Sequence, residues 1–189
     1  MNLRNRRIDT EWHLLNDLAD ANSATLVAIS RSEDEFRIDM RESPAWMGGK
    51  YKQQIEPAHL VRYVYPRYYP SLPLEGYFVR PICHINVDAV TGFICLWQDY
   101  RPAQTIVDAI LITRAIMACK VANWDPAHRM QHDVATEHRE LYELSMPALI
   151  LPISCHGLLL HQRPDRRRLT SELDDQIPCG GNFALSDIE

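Results

Sequence analysis

No window of the sequence approaches the roughly 20 apolar residues that a membrane-spanning helix needs, so no membrane partner is expected. Arginines stand near the start, but Asp9 and Glu11 follow directly and no apolar h-region appears, so no signal peptide is expected. A basic surface is missing as well. Twenty Lys and Arg against 25 Asp and Glu leave a net charge of −5, which argues against a large nucleic-acid footprint. None of the seven glycines forms a phosphate-cradling loop, so the chain is not expected to use ATP itself. Five cysteines, an odd number in a chain of 189 residues, do not suggest a disulfide framework. They suit a reducing compartment, and the expected location is cytoplasmic. His128 and His132 are four apart, with His138 beyond, but neither a zincin glutamate nor cysteine pairs accompany them, so no metal or other cofactor is expected.

What is present is ordinary for a globular chain: 46% apolar and 24% charged residues, enough for one substantial core. From Leu3 to Leu18 the residues Ile8, Trp12, Leu15 and Leu18 recur at helical spacing on one face. Ala24–Ser30 and Glu35–Met40 read as a hairpin. A third strand begins at Tyr51–Ile55 and runs on through His59 to Val64, and Tyr77–Ile82 supplies a fourth. Four strands with short links make an antiparallel meander that needs helices on one face. The expected class is therefore α+β: an N-terminal helix, a four-stranded antiparallel meander and C-terminal helices. Pro102 suits the first position of a helix, and Ala103–Val121 is apolar nearly all round, as in a buried helix. Asp125-Pro126 signals a further helix start, with Asp125 as N-cap, continuing to about Leu144.

The stretch from Tyr69 to Pro102 organises the rest. It holds a proline-set turn, a strand, a His-x-Asn turn and then Cys95, just past a glycine bend at Gly92. On the residues alone, Cys95 is either a nucleophile on a rigid support or an ordinary buried core thiol.

The order of the motifs adds to this. Ser43-Pro44 followed by Gly48-Gly49-Lys50-Tyr51, then Tyr69-Pro70-Ser71-Leu72-Pro73-Leu74, then His84-Ile85-Asn86, resemble successive signatures of the ubiquitin-conjugating enzyme family. Gly92-Phe93-Ile94-Cys95-Leu96, Tyr100-Arg101-Pro102-Ala103-Gln104-Thr105-Ile106 and Asp125-Pro126 continue the series in the family's order. The resemblance covers roughly residues 3 to 145. There are departures: Ile85 replaces the middle proline of His-Pro-Asn, Tyr100 stands in for tryptophan, and the Asn86–Cys95 loop is one residue longer. These departures look more like the conjugating enzymes of bacterial ubiquitin-like (Bil-type) operons than like a eukaryotic housekeeping member.

The resemblance implies a carrier. Cys95 would accept the C-terminal acyl group of a ubiquitin-like modifier from an activating enzyme as a thioester and pass it to a lysine amine of a target protein. Asn86 would orient the loop beside Cys95 and stabilise the oxyanion. Asp125 would hold or deprotonate the incoming amine, its plain alternative being an N-cap. His84 is read as a supporting hydrogen-bonder of the turn, and a Cys95–His84 hydrolase as the weaker option. The basic patch of Arg4, Arg6 and Arg7 is the expected contact for the activating enzyme. A non-catalytic binding or scaffold protein of the same fold is the alternative.

The expected division is a catalytic domain over 1–146 and a C-terminal extension over 147–189. Within the extension Ala148–Ile153 and Leu158–Leu160 are apolar, as two short strands or as a strip laid on the core, and Arg166–Glu189 reads as a tail.

Overall fold

The computed structural model describes residues 3–48, 54–125, 129–131, 134 and 143–155. Helix α1 spans Leu3–Ala21 and turns Ile8, Glu11, Leu15 and Leu18 inward. Seven strands follow among the described residues: β1 Leu26–Arg31, β2 Glu35–Met40, β3 Ala45–Met47, β4 Gln54–Glu56, β5 His59–Val64, β6 Glu75–Phe78 and β7 Phe93–Ile94. Helix α2, Ile106–Met117, comes after them. Five strands form one antiparallel sheet in the order β1-β2-β5-β6-β7, while β3 and β4 pair separately. Period-two alternation sends Phe36, Ile38, Met40, Val61 and Tyr63 into the core shared with α1 and α2. Glu35, Arg37, Leu60 and Arg62 lie on the opposite face.

The α+β architecture is as expected, and three details differ. The long third strand is two strands: Gln54–Glu56 turns back onto Ala45–Met47, and Pro57, which has no N–H to donate, separates it from β5. The fourth strand starts earlier, at Glu75, and leaves the sheet after Phe78, and β7 adds a fifth. Helix α2 begins at Ile106 rather than at Pro102. Thr105 is its N-cap, and Asp108 bonds back to the Thr105 backbone to complete a capping box. Pro102 lies instead in a turn closed by Gln104 N–H on Arg101 C=O.

One carboxylate ties these elements together. Glu11 sits on the apolar stripe of α1 and is fully buried. Its Oε1 accepts from Arg7 Nε at 2.7 Å and from Tyr69 Oη at 2.6 Å, and its Oε2 accepts from Ile106 N at 2.5 Å. That last bond places a negative charge at the first turn of α2, where the helix dipole favours it. Burial pushes the Glu11 pKa up, and the bonds from Tyr69, Ile106 and Arg7 pull against it. Glu11→Ala is expected to cost about 3 kcal/mol, because it leaves a partly buried guanidinium, a buried phenol and a helix N–H without this acceptor. Chemical denaturation measures this, and a loss below about 1 kcal/mol would show that the three donors find substitutes.

The chain past Leu144 is laid against the core as a strip. Leu144 N–H bonds Ala118 C=O, and Met146, Leu149 and Leu151 pack on the buried cluster. The Asn22 amide imitates a strand partner for Ile150, donating from Nδ2 to its C=O and accepting at Oδ1 from its N–H, both at 2.7 Å. Arg114, buried, donates to Ser43 Oγ and to Pro147 C=O. Cys155 is fully buried. The apolar stretch at Leu158–Leu160 and the tail Arg166–Glu189 lie outside the described residues.

Candidate active site

Three chain segments meet at Cys95. The first is the His84–Val87 turn. His84 is fully buried, and its Nδ1 accepts from Asn86 N–H at 3.0 Å, so the ring proton sits on Nε2. Its C=O accepts from Val87 N–H. His84 is therefore bonded within the turn through both its ring and its backbone. Ile85, where the family pattern has proline, is fully buried against Trp46, Cys83, Val134 and Leu144. Apolar packing thus anchors a turn that lacks proline's fixed φ.

The second segment carries the thiol. Val87 bridges Ile94, and the Asp88 carboxylate accepts from Val90 N, Thr91 N and Thr91 Oγ1 inside the intervening loop. Gly92 closes that loop at φ 74°, its C=O accepting from Phe78 N–H. Cys95 follows directly after β7 and is half-buried. Its N–H donates to Asn86 C=O at 2.7 Å, and its own C=O accepts from Asn86 Nδ2 at 3.2 Å. The other end of that amide, Oδ1, accepts from Asn123 N–H at 2.8 Å.

The third segment is the loop after α2. Cys119 turns it at φ 58°, and Asn123 N–H ties it to the Asn86 amide. Asn123 Oδ1 accepts from Asp125 N–H at 3.1 Å, which sets Asp125 on the same loop with an exposed side chain. Met130 N–H bonds Ile85 C=O, and Gln131 Nε2 bonds both Ile82 C=O and Val87 C=O, so the loop returns to the His84 turn. Arg129, Met130 and Gln131 are not helical, and Pro126, His128, His132, His138 and most of the helix expected up to Leu144 lie outside the described residues. Among the described residues no three metal-binding side chains gather. No helix described is long and apolar enough to cross a membrane.

Burial pushes the Cys95 thiol pKa up, and hydrogen bonding from the Asn123 side chain draws it partly back. The thiolate fraction at neutral pH is therefore small, and alkylation of Cys95 by iodoacetamide is expected to accelerate with pH through a midpoint above the ordinary cysteine range. A midpoint near 7 would mean that a further cationic group reaches the sulfur.

Asn86 is bonded to Cys95 and to Asn123, Asp125 follows two residues later on the same loop, and His84 lies in the turn that carries Asn86. Asn123 and Gln131 escape sequence reading, because each works through partners far away in the chain. The arginines at the start divide. Arg4 donates from Nη2 to Asp34 Oδ1 at 2.6 Å and to Tyr65 C=O at 2.7 Å, and from Nε to Pro66 C=O at 3.0 Å. Arg7 bonds Glu11 and the carbonyls of Ala103 and Gln104. Both hold α1 to its own neighbours, while the Arg6 side chain lies exposed.

A helix packed on an antiparallel meander, followed by a His-x-Asn turn, a cysteine after a short strand and a second helix, is the fold of the ubiquitin-conjugating enzymes. Solved structures agree. A candidate ubiquitin conjugating enzyme from Plasmodium yoelii superposes with a TM-score of 0.50 at 22% identity, over 71% of this chain and 84% of that one. The H. polymorpha ubiquitin conjugating enzyme Pex4p, solved with the soluble domain of Pex22p, gives a TM-score of 0.50 at 17% identity, over 71% and 86%. No family model and no curated protein sequence matches the chain.

Proposed function

We propose that the chain is a ubiquitin-conjugating-type carrier, forming a thioester between Cys95 and the C-terminus of a ubiquitin-like modifier and passing it to a lysine amine. The observation that carries this reading is the half-buried Cys95, gripped through its backbone by Asn86 and faced by the Asn123–Asp125 loop, in this fold. Sulfur suits both halves of the reaction: it attacks the incoming thioester and later departs when the amine attacks. Asp125, exposed on the loop beside the thiol, is the residue to receive the amine's proton. The activating enzyme, the modifier and a target are the partners this chemistry requires, and Arg6 is the member of the first basic patch with its side chain turned outward.

The odd cysteine count suits a cytoplasmic setting. The buried isoleucine in the turn and the altered loop lengths support a bacterial ubiquitin-like operon of the antiphage type as its context. The genes beside it test that setting: an activating enzyme, a small glycine-ended protein and an isopeptidase are expected there.

The second reading is a scaffold of the same fold that binds a modifier without carrying it. The observation that favours it is the Cys95 thiol, which burial pushes away from the ionised form. Incubation with the cognate activating enzyme, modifier and ATP separates the two. A reducible adduct on Cys95 establishes the carrier, and its absence beside a charged activating enzyme leaves the scaffold.

A further inference from the structure

The loop that carries Asp125 is tied at both ends to one turn. At its start, Asn123 N–H bonds the Asn86 side chain at 2.8 Å. At its end stands half-buried Gln131, whose Nε2 donates to Ile82 C=O at 3.0 Å and to Val87 C=O at 2.7 Å. Those two carbonyls bracket the segment holding His84, Ile85 and Asn86, so one amide spans the turn, giving one proton to each side. Ile82 and Val87 are buried, and among the described residues no other donor reaches either carbonyl. The turn has further anchors of its own: Cys83 N–H on Trp46 C=O, Asn86 N–H on the His84 ring, and the buried Ile85 side chain. The loop end has fewer. Beside Gln131, Met130 N–H bonds Ile85 C=O, and Arg129 reaches back to Trp124 C=O, next to Asp125.

We propose that Gln131 is a positioning residue for the second half of the reaction: its grip on both sides of the His84 turn fixes the loop end and so sets Asp125 relative to Cys95. This rests on the thioester-carrier reading. In that half-reaction a lysine nitrogen attacks the Cys95 acyl carbon. The carbon–sulfur bond breaks with its electron pair going to sulfur, and the proton shed by nitrogen passes to the Asp125 carboxylate. Loading makes no use of that carboxylate. It needs the sulfur, whose segment is held by backbone bonds to Asn86 that do not involve the loop. Loss of the Gln131 donors therefore falls on discharge to lysine and spares loading.

The test uses the full chain and a glycine-ended peptide carried as a 2-mercaptoethanesulfonate thioester. Mass spectrometry follows acyl loading of Cys95 and then single-turnover discharge, either to free lysine or to hydroxylamine. Lysine must shed a proton to react at neutral pH, whereas hydroxylamine is already uncharged there and has no need of Asp125. Gln131→Met keeps the length of the side chain without its donors, and Gln131→Glu keeps the shape but turns an acceptor toward both carbonyls. Both are expected to load, and to discharge to hydroxylamine, within about twofold of the parent, while discharge to lysine slows roughly 10- to 100-fold. In an Asp125→Asn background, Gln131→Met is expected to slow lysine discharge no further, because the two residues act as one unit. Parental lysine discharge by both Gln131 variants, equal slowing with both nucleophiles, or a full additional loss in the Asp125→Asn background overturns the assignment to Gln131 alone. A parent protein that forms no Cys95 adduct with the probe, or whose adduct never passes to lysine, overturns the carrier reading and this assignment with it.

Discussion

Cys95→Ala is expected to abolish the reducible adduct altogether while leaving the fold nearly unchanged. The segment around Cys95 is held by backbone bonds to Asn86 in both directions, and these do not involve the sulfur. The thiol is half-buried, so its removal takes few contacts, and the expected stability loss is within about 1 kcal/mol. On the carrier reading, loading depends on the sulfur entirely, because neither attack on the acyl carbon nor later departure has another atom to use. Cys95→Ser sharpens the result. The serine oxygen attacks a thioester slowly but leaves poorly, so the product is an oxyester that survives thiol reductants. The measurement is non-reducing and reducing electrophoresis after incubation with the activating enzyme, the modifier and ATP. An adduct of unchanged amount on Cys95→Ala would move the acyl group to another residue and end the carrier reading as framed.

The parts of this site that were legible in the sequence are those that act over short stretches of chain. Gly92 reads as a bend, and it adopts φ 74°. His84-Ile85-Asn86 reads as a turn, and the bond from Asn86 N–H to His84 Nδ1 closes it over two residues. The helix after the thiol is readable too, but its start was set by the wrong signal. Pro102 is permitted at a first turn, whereas Thr105 with Asp108 three residues later supplies a capping box, which satisfies N–H groups rather than merely tolerating their loss. Glu11 left a mark as well: a carboxylate between Ile8 and Leu15 on an apolar stripe breaks the pattern, and such breaks mark a buried polar contact. Nothing local marks Asn123. It matters because its N–H meets an amide 37 residues earlier in the chain, and only the folded sheet brings the two together. The same holds for Gln131, whose carbonyl partners stand 49 and 44 residues away.

Gly92→Ala is expected to cost about 4 kcal/mol and to slow loading of Cys95 about 100-fold. The backbone at Gly92 has φ 74°, a conformation that costs an alanine about 1 kcal/mol by itself. The larger part is steric. A Cβ built there would lie 2.1 Å from the Phe78 carbonyl oxygen, and that oxygen is backbone, not a side-chain end that can swing away. Relief requires β6 and the Gly92 loop to part, which strains the bond from Phe78 N–H to Gly92 C=O and the pairing of Tyr77 with Phe93. Cys95 lies three residues further on, so any shift of β7 carries the sulfur off its geometry with Asn86 and Asn123. Stability and loading should therefore fall together, and raising the modifier concentration should not restore the rate. Denaturation midpoints and single-turnover loading measure the two effects. A variant losing less than about 1 kcal/mol and loading at the parental rate would mean that the glycine bend does not set the position of the thiol.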